Sequence, residues 1–205
     1  MTDAAFWDRI APKYAQQPIS NTQAYEETLA RVQTYLGADT VALELGCGTG
    51  STALRLQPGT ARYVAADISS GMIDIANVKI SDATGPVPEF RVGGVDADVY
   101  DGVAPNTVLA FNLLHLVPDL EATLATVRAN LPDGGLFISK TPCVGSKWYY
   151  KPLIKAMQLI GKAPHVSFLS VEDVDAQIAA AGFRIVETGL YPPTTPSRFV
   201  VARKV

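Results

Sequence analysis

The sequence is poor in cysteine and histidine, and it has no long apolar run. Its 2 cysteines, Cys47 and Cys143, lie far apart without metal-ligand spacing, so neither a disulfide framework nor a thiolate metal centre is expected. They read as reduced thiols acting as small buried hydrophobes. No stretch approaches the roughly 18 uninterrupted apolar residues of a membrane span. The opening residues 1–9 carry acids and lack the apolar core of a secretion signal, and the expectation is a soluble, cytosolic protein. There is no basic excess either: 17 Lys and Arg against 20 Asp and Glu give a formal net charge of -3, which argues against a general nucleic-acid binder. Internal repeats, low-complexity tracts and an obvious interdomain linker are all missing. With 48% hydrophobic residues among 205, the chain fits one α/β domain and is not broadly disordered.

The most informative stretch is Val41-Ala42-Leu43-Glu44-Leu45-Gly46-Cys47-Gly48-Thr49-Gly50-Ser51. A short apolar run bounded by glycines reads as a buried strand, and residues 51–56 read as the opening of a helix. The glycines therefore sit on a strand-to-helix turn, where a residue without Cβ lets backbone approach a ligand closely.

The remaining pattern alternates. Helices are expected over 3–16 and 21–36, then strand 40–45, helix 49–57, strand 62–66, helix 70–80, strand 89–92, strand 107–112, helix 118–130 and strand 136–140. An insert at 141–168 precedes helix 171–181 and strands 183–188 and 198–202. The link from Gly93 to Pro105 leaves little room for a crossover helix. Such alternation gives a Rossmann-like, doubly wound, mostly parallel seven-stranded sheet with helices on both faces, closed by an antiparallel C-terminal strand. In such sheets ligands bind beyond the carboxyl ends of the strands, where strand order reverses.

Glu44-Leu45-Gly46-Cys47-Gly48-Thr49-Gly50 resembles the first motif of class I S-adenosylmethionine-dependent methyltransferases. The resemblance extends to Asp67 after the second strand, Asp96 after the third, and Asn112-Leu113-Leu114-His115 after the fourth, covering about 40–140 in order. It implies a single methyltransferase domain: an N-terminal helical cap (1–38), a cofactor-binding core (39–140), a lid insert (141–168), and a C-terminal helix with closing strands (169–205). The implied cofactor is S-adenosylmethionine, held by Glu44, Gly46, Cys47, Gly48, Gly50, Asp67, Ile68, Met72, Asp96, Ala97 and Asn112, with no metal. Asp67 stands 21 positions after Gly46, where a carboxylate can accept hydrogen bonds from both ribose hydroxyls. Its alternative role, a helix N-cap, is one Ser69 fills equally well. Ile68 and Met72 pad the adenine, Asp96 takes the adenine amino group beside Ala97, and Glu44 orients the glycine loop through backbone N–H groups. Asn112 presents backbone or side-chain groups to the methionine part. Residues 95–98 also read as a solvated turn, and Asn112 as a plain strand-end residue.

A nicotinamide fingerprint places its third glycine five positions after the first, where this chain has Ser51. A base-methylating enzyme of nucleic acid carries Asn-Pro-Pro-aromatic where this chain has Asn112-Leu113-Leu114-His115. A third alternative, a non-catalytic S-adenosylmethionine-sensing or lipid-binding module on the same fold, has no positive feature in the sequence.

Methyl transfer from a sulfonium needs mainly positioning, so a base is optional. The catalytic candidates are His115, which otherwise packs beside the helix starting at Pro118, and Tyr14. The segment Phe6-Trp7-Asp8-Arg9-Ile10-Ala11-Pro12-Lys13-Tyr14 resembles the helix that closes over the cofactor in quinone-type small-molecule methyltransferases; an amphipathic core helix has the same spacing. The acceptor is expected to be a small, apolar or lipophilic molecule. Residues 140–165 hold five lysines and no acid. If 147–162 were one helix, Lys147, Lys151, Lys155 and Lys162 would share an arc of about 80°, with Trp148, Tyr149, Leu153, Met157, Leu159 and Ile160 elsewhere. Pro152 favours a helix starting only at Lys151. Three readings stay open: a lid with solvated lysines, a wall of an apolar acceptor pocket, or a basic amphipathic surface for an anionic membrane.

Overall fold

The computed structural model describes residues 3–145, 151–193 and 197–205, apart from the side chains of Ala97 and Lys151. Seven strands form one sheet in the order β3-β2-β1-β4-β5-β7-β6, with β1 Val41–Leu45, β2 Arg62–Asp67, β3 Glu89–Val92, β4 Thr107–Phe111, β5 Leu136–Pro142, β6 Phe183–Leu190 and β7 Ser197–Lys204. β7 is antiparallel to both β5 and β6, while β1 to β5 pair in parallel. The expected α/β fold is therefore the one observed, including the closing hairpin. Strand order reverses between β1 and β4, which opens a crevice at their carboxyl ends.

Local sequence explains where the helices begin. Asn21 caps α2 (Thr22–Gln33) by accepting from the Ala24 N–H, and Ser69 caps α4 (Ser70–Val78) by accepting from Met72 N–H. Asp119 does the same for α5 (Leu120–Asn130), and Ser170 with Asp173 forms a capping box for α7 (Val171–Ala180). Helix α5 thus starts two residues after Pro118. Past Gln33, residues to Leu36 continue in tight i→i+3 turns, which shortens the helix expected there.

Strands β1 and β2 are buried on both faces, as a central parallel sheet requires, whereas β6 alternates buried and solvated positions as an edge strand does. One core lies under α5 and α7, around Leu43, Val64, Val108, Phe137, Leu124 and Ile178. The other lies under α2, α3 (Ser51–Leu56) and α4, around Tyr63, Leu109, Ile138, Leu29, Leu56 and Ile73. Of the two N-terminal helices, α1 (Asp3–Ala15) lines the crevice with Asp3, Trp7, Tyr14 and Ala15, while α2 packs on the sheet and adds Tyr25 to the lining. In the insert, α6 spans Lys151–Leu159, beginning beside Pro152. Lys147, Trp148 and Tyr149 lie outside the described residues. Among the described residues no helix is long and apolar enough to cross a membrane.

Candidate functional site

The crevice encloses about 500 Å³, within the range of small-molecule sites. Its floor is the turn after β1. Cys47 N–H donates to Ala66 O (3.0 Å), Gly50 N–H donates to Cys47 O (3.1 Å), and Gly48 N–H donates to the Asp67 carboxylate (2.8 Å). The turn is thus tied to the end of β2, and its Gly48 has a φ of 55° with only the Tyr14 ring near the place of a Cβ. That open space beside the backbone is what a ligand lying on the turn needs. At Gly50 the reason for glycine differs: an added Cβ would sit 2.5 Å from Phe90. Gly50 does not line the crevice, and its small size serves the packing of α3 against β3.

Three acids line the crevice: Asp3 of α1 at its roof, and Glu44 and Asp67 beside the turn. Asp67 accepts from Gly48 N–H and, through its other oxygen, from Ser69 N–H (3.0 Å), which fixes the carboxylate plane and leaves lone pairs on both oxygens. Burial raises its pKa more than these two hydrogen bonds lower it. Glu44 is only 2% exposed and accepts from the Tyr63 hydroxyl (2.9 Å). Burial pushes its pKa up to about 8. Its hydrogen-bond partner is therefore Tyr63 and not the loop N–H groups expected from sequence; Asp67 and the loop's own backbone hold the glycines instead. Among the described lining residues there is no Lys, Arg or His, so the crevice presents acids without counter-cations. Such a site suits a ligand bearing positive charge and hydroxyl donors, and it is a poor match for an anionic pyrophosphate.

Helix α1 roofs the crevice through a residue the sequence reading passed over. Asp8 accepts from Ser69 Oγ (2.7 Å) and from Gly71 N–H (3.0 Å), placing a carboxylate at the amino end of α4. These bonds hold its pKa below the usual carboxylate range. The only sequence signal was the acid spaced one turn from the apolar face of Phe6, Trp7 and Ile10. Tyr14 stands over the turn beside Gly48, half exposed, with a phenol pKa raised first by burial and then by the Asp67 charge. The insert braces this roof: Arg9 donates to Gly161 O (2.6 Å) and His165 N–H donates to the Asp3 carboxylate (3.3 Å). No described residue of 141–168 lines the crevice. Away from the turn the walls are Trp7, Pro18 and Ile19 on one side and Phe111, Leu113, Leu116 and Val117 on the other.

Of the residues singled out from sequence, Tyr14, Glu44, Gly46, Cys47, Gly48, Asp67, Ile68, Met72 and Asn112 come together around this cavity. Ser69 takes the N-cap role, leaving Asp67 free to face the crevice. Asp96 is exposed at the start of a short 3-10 turn, just beyond the lining residues Gly93, Gly94 and Val95, and does not itself line the cavity. Ala97 opens that turn, and its side chain lies outside the described residues. His115 also stands outside the lining; it is largely buried, its Nδ1 has no hydrogen-bond partner among the described residues, and burial lowers its pKa to about 4. Asn112 adopts a left-handed φ of 55°, which asparagine tolerates, and its N–H donates to Lys140 O (2.7 Å), aiming the chain after β4 across the crevice. Sequence reasoning also passed over Lys79, whose ammonium donates to Thr49 O (2.6 Å) and Ser51 Oγ (2.8 Å) and ties α4 to the turn.

Comparison with known proteins agrees with this geometry. Residues 16–188 match the family described as methyltransferase domain. The chain is 30% identical over 150 residues to a highly reducing polyketide synthase, NEC1, of Pyricularia oryzae, covering 66% of this chain and 5% of that protein. It is 24% identical over 151 residues to the ubiquinone biosynthesis O-methyltransferase of Methylobacterium nodulans, covering 71% of this chain and 60% of that one. It thus spans a small part of the first relative and about three-fifths of the second. The magnesium protoporphyrin IX methyltransferase of Synechocystis PCC 6803, solved with bound S-adenosylhomocysteine, superposes with a TM-score of 0.68 at 20% identity, covering 98% of this chain and 93% of that one.

Proposed function

Because this chain belongs to the methyltransferase-domain family, as a class I S-adenosylmethionine-dependent enzyme, we propose that it methylates a small, apolar or lipophilic acceptor. The observation that carries this reading is the cavity's lining: alongside Asp67, Glu44 and the glycine turn it holds Trp7, Ile19, Leu113, Leu116 and Val117, with no cationic side chain among the described lining residues to recognise an anionic acceptor. The relatives support it, since a polyketide synthase and a ubiquinone biosynthesis O-methyltransferase are both named for carbon-rich products.

When bound, S-adenosylmethionine supplies a methyl group already activated by its sulfonium, which the acceptor takes by in-line displacement. The chain's own residues position the partners. Asp67 would hold the ribose hydroxyls and offer its negative charge to the sulfonium end of the site, and Ile68 and Met72 would pack the base. Trp7 and Tyr14 exclude water from above. Holding reactants in this way lowers a barrier by ~7 to 11 kcal/mol, so no general base is required. Mass-spectrometric screening of extract fractions for S-adenosylmethionine-dependent methylation tests the proposal. Products in the solvent-extractable fraction support it, and products confined to charged, water-soluble metabolites overturn it.

A further inference from the structure

The insert presents a surface that the crevice does not use. Around α6 the solvent-facing residues are Leu153 (57% exposed), Leu159 (89%) and Ile160 (65%), together with the exposed Ala156. The inward positions are Ile154 and Met157, so this helix turns apolar side chains toward both the body of the protein and the solvent. An isolated exposed leucine needs no explanation, but Leu153 and Leu159 on α6 with Ile160 directly after it form a patch. Exposed Lys155 and Lys162 flank it. Lys140 is not part of this face, because its ammonium donates inward to Thr28 Oγ1 (2.9 Å). Residues 140–165 hold five lysines and no acid in a chain of net charge -3, which concentrates positive charge on this one segment.

We propose that α6 docks this protein on an anionic lipid bilayer, with Leu153, Leu159 and Ile160 entering the headgroup boundary and Lys155 and Lys162 pairing with lipid phosphates. An exposed apolar stripe beside lysines is the pattern of a helix that lies in a membrane interface, and the charge selects an anionic surface over a neutral one. Lys155 and Lys162, the described lysines beside the patch, gain more from a surface of anionic headgroups than from a protein surface of mixed charge. The docked face adjoins the crevice roof, since Gly161, directly after Ile160, accepts from Arg9 of α1 and His165 donates to Asp3. Bilayer contact therefore sets the α1 edge of the cavity against the lipid surface.

Cosedimentation with phosphatidylcholine vesicles, with and without phosphatidylglycerol, tests this. The full chain is expected to bind only the anionic vesicles, and less so as salt rises. Lys155→Ala with Lys162→Ala weakens that binding by about tenfold or more, and Leu159→Ser with Ile160→Ser does so by a similar factor of about ten. Both variants keep wild-type thermal stability and S-adenosylhomocysteine affinity, which separates this outcome from failure of the methyltransferase reading. Absence of vesicle binding overturns the proposal. So does binding that neither pair of substitutions changes, or a dimer in light scattering that Leu159→Ser dissociates, which would make the face a contact between two copies.

Discussion

Replacing Asp67 probes the crevice most sharply, because its two oxygens are already aligned by Gly48 N–H and Ser69 N–H. Two ribose hydroxyls donating to this carboxylate form two charge-assisted hydrogen bonds, each contributing about 1.5 to 3 kcal/mol. Asp67→Ala removes both and also frees Gly48 N–H, leaving Cys47 N–H to Ala66 O as the turn's remaining bond to β2. At about 1.4 kcal/mol per tenfold, S-adenosylhomocysteine should bind about 10² to 10⁴ times more weakly. Asp67→Asn keeps the shape but has one acceptor oxygen for two backbone donors, and should weaken binding by at least about tenfold. Isothermal titration reads both. Burial disfavours the charged carboxylate, which offsets part of the cost of the unpaired N–H in Asp67→Asn; denaturant titration of the ligand-free protein then separates a binding defect from an unfolding one. The sign with pH follows: the ribose requires the ionised carboxylate, so affinity falls as pH drops through the raised pKa of Asp67. An affinity for either variant within about threefold of wild type would refute the reasoning.

Glu44, with a pKa pushed from 4.5 to about 8, binds a proton more tightly folded than unfolded; its contribution to stability is present below about 4.5 and is lost as pH rises through about 8. Glu44→Gln should flatten that slope and make the ligand-free protein more stable than wild type above pH 8, by up to about 5 kcal/mol, in denaturant titrations across pH; a parallel pair of curves contradicts this. Gly50→Ala, with its φ of 74° and a Cβ 2.5 Å from Phe90, should cost about 1 to 3 kcal/mol in thermal unfolding while the folded fraction keeps its ligand affinity; a large affinity loss at unchanged stability would return Gly50 to the binding surface. His115 is neutral above about pH 4, so the wild-type rate profile should show no inflection near pH 6.5 and His115→Gln should leave methyl transfer within about threefold; an inflection in the wild type that His115→Gln removes together with the rate would make it a base.

Much of this arrangement was legible because it rests on short-range rules. A buried apolar strand followed by glycines reads as a turn, and Asp67 followed by Ser69 reads as a free acid beside a cap. The closing hairpin was visible in the spacing of its strands. What escaped was tertiary. Gly50 looks the same in sequence as Gly46 and Gly48, yet its left-handed φ and its packing against Phe90 and Ala76, not the crevice, explain it. Glu44 was read as a partner of the loop because nothing local marks Tyr63, on the neighbouring strand, as its donor. Asp8 and Lys79 each bond to residues more than 25 positions away, and no local pattern marks such contacts. The insert was expected to roof the cavity, but its described part acts one step removed, through Arg9 and Asp3 on α1.

A crystal structure with S-adenosylhomocysteine bound addresses the central claim most directly. The account predicts the ligand on the glycine turn beneath Tyr14, with both ribose hydroxyls within hydrogen-bonding distance of Asp67 and the sulfur facing the wall of Leu113, Leu116 and Val117. A ligand seated elsewhere, or one whose ribose makes no contact with Asp67, would contradict it.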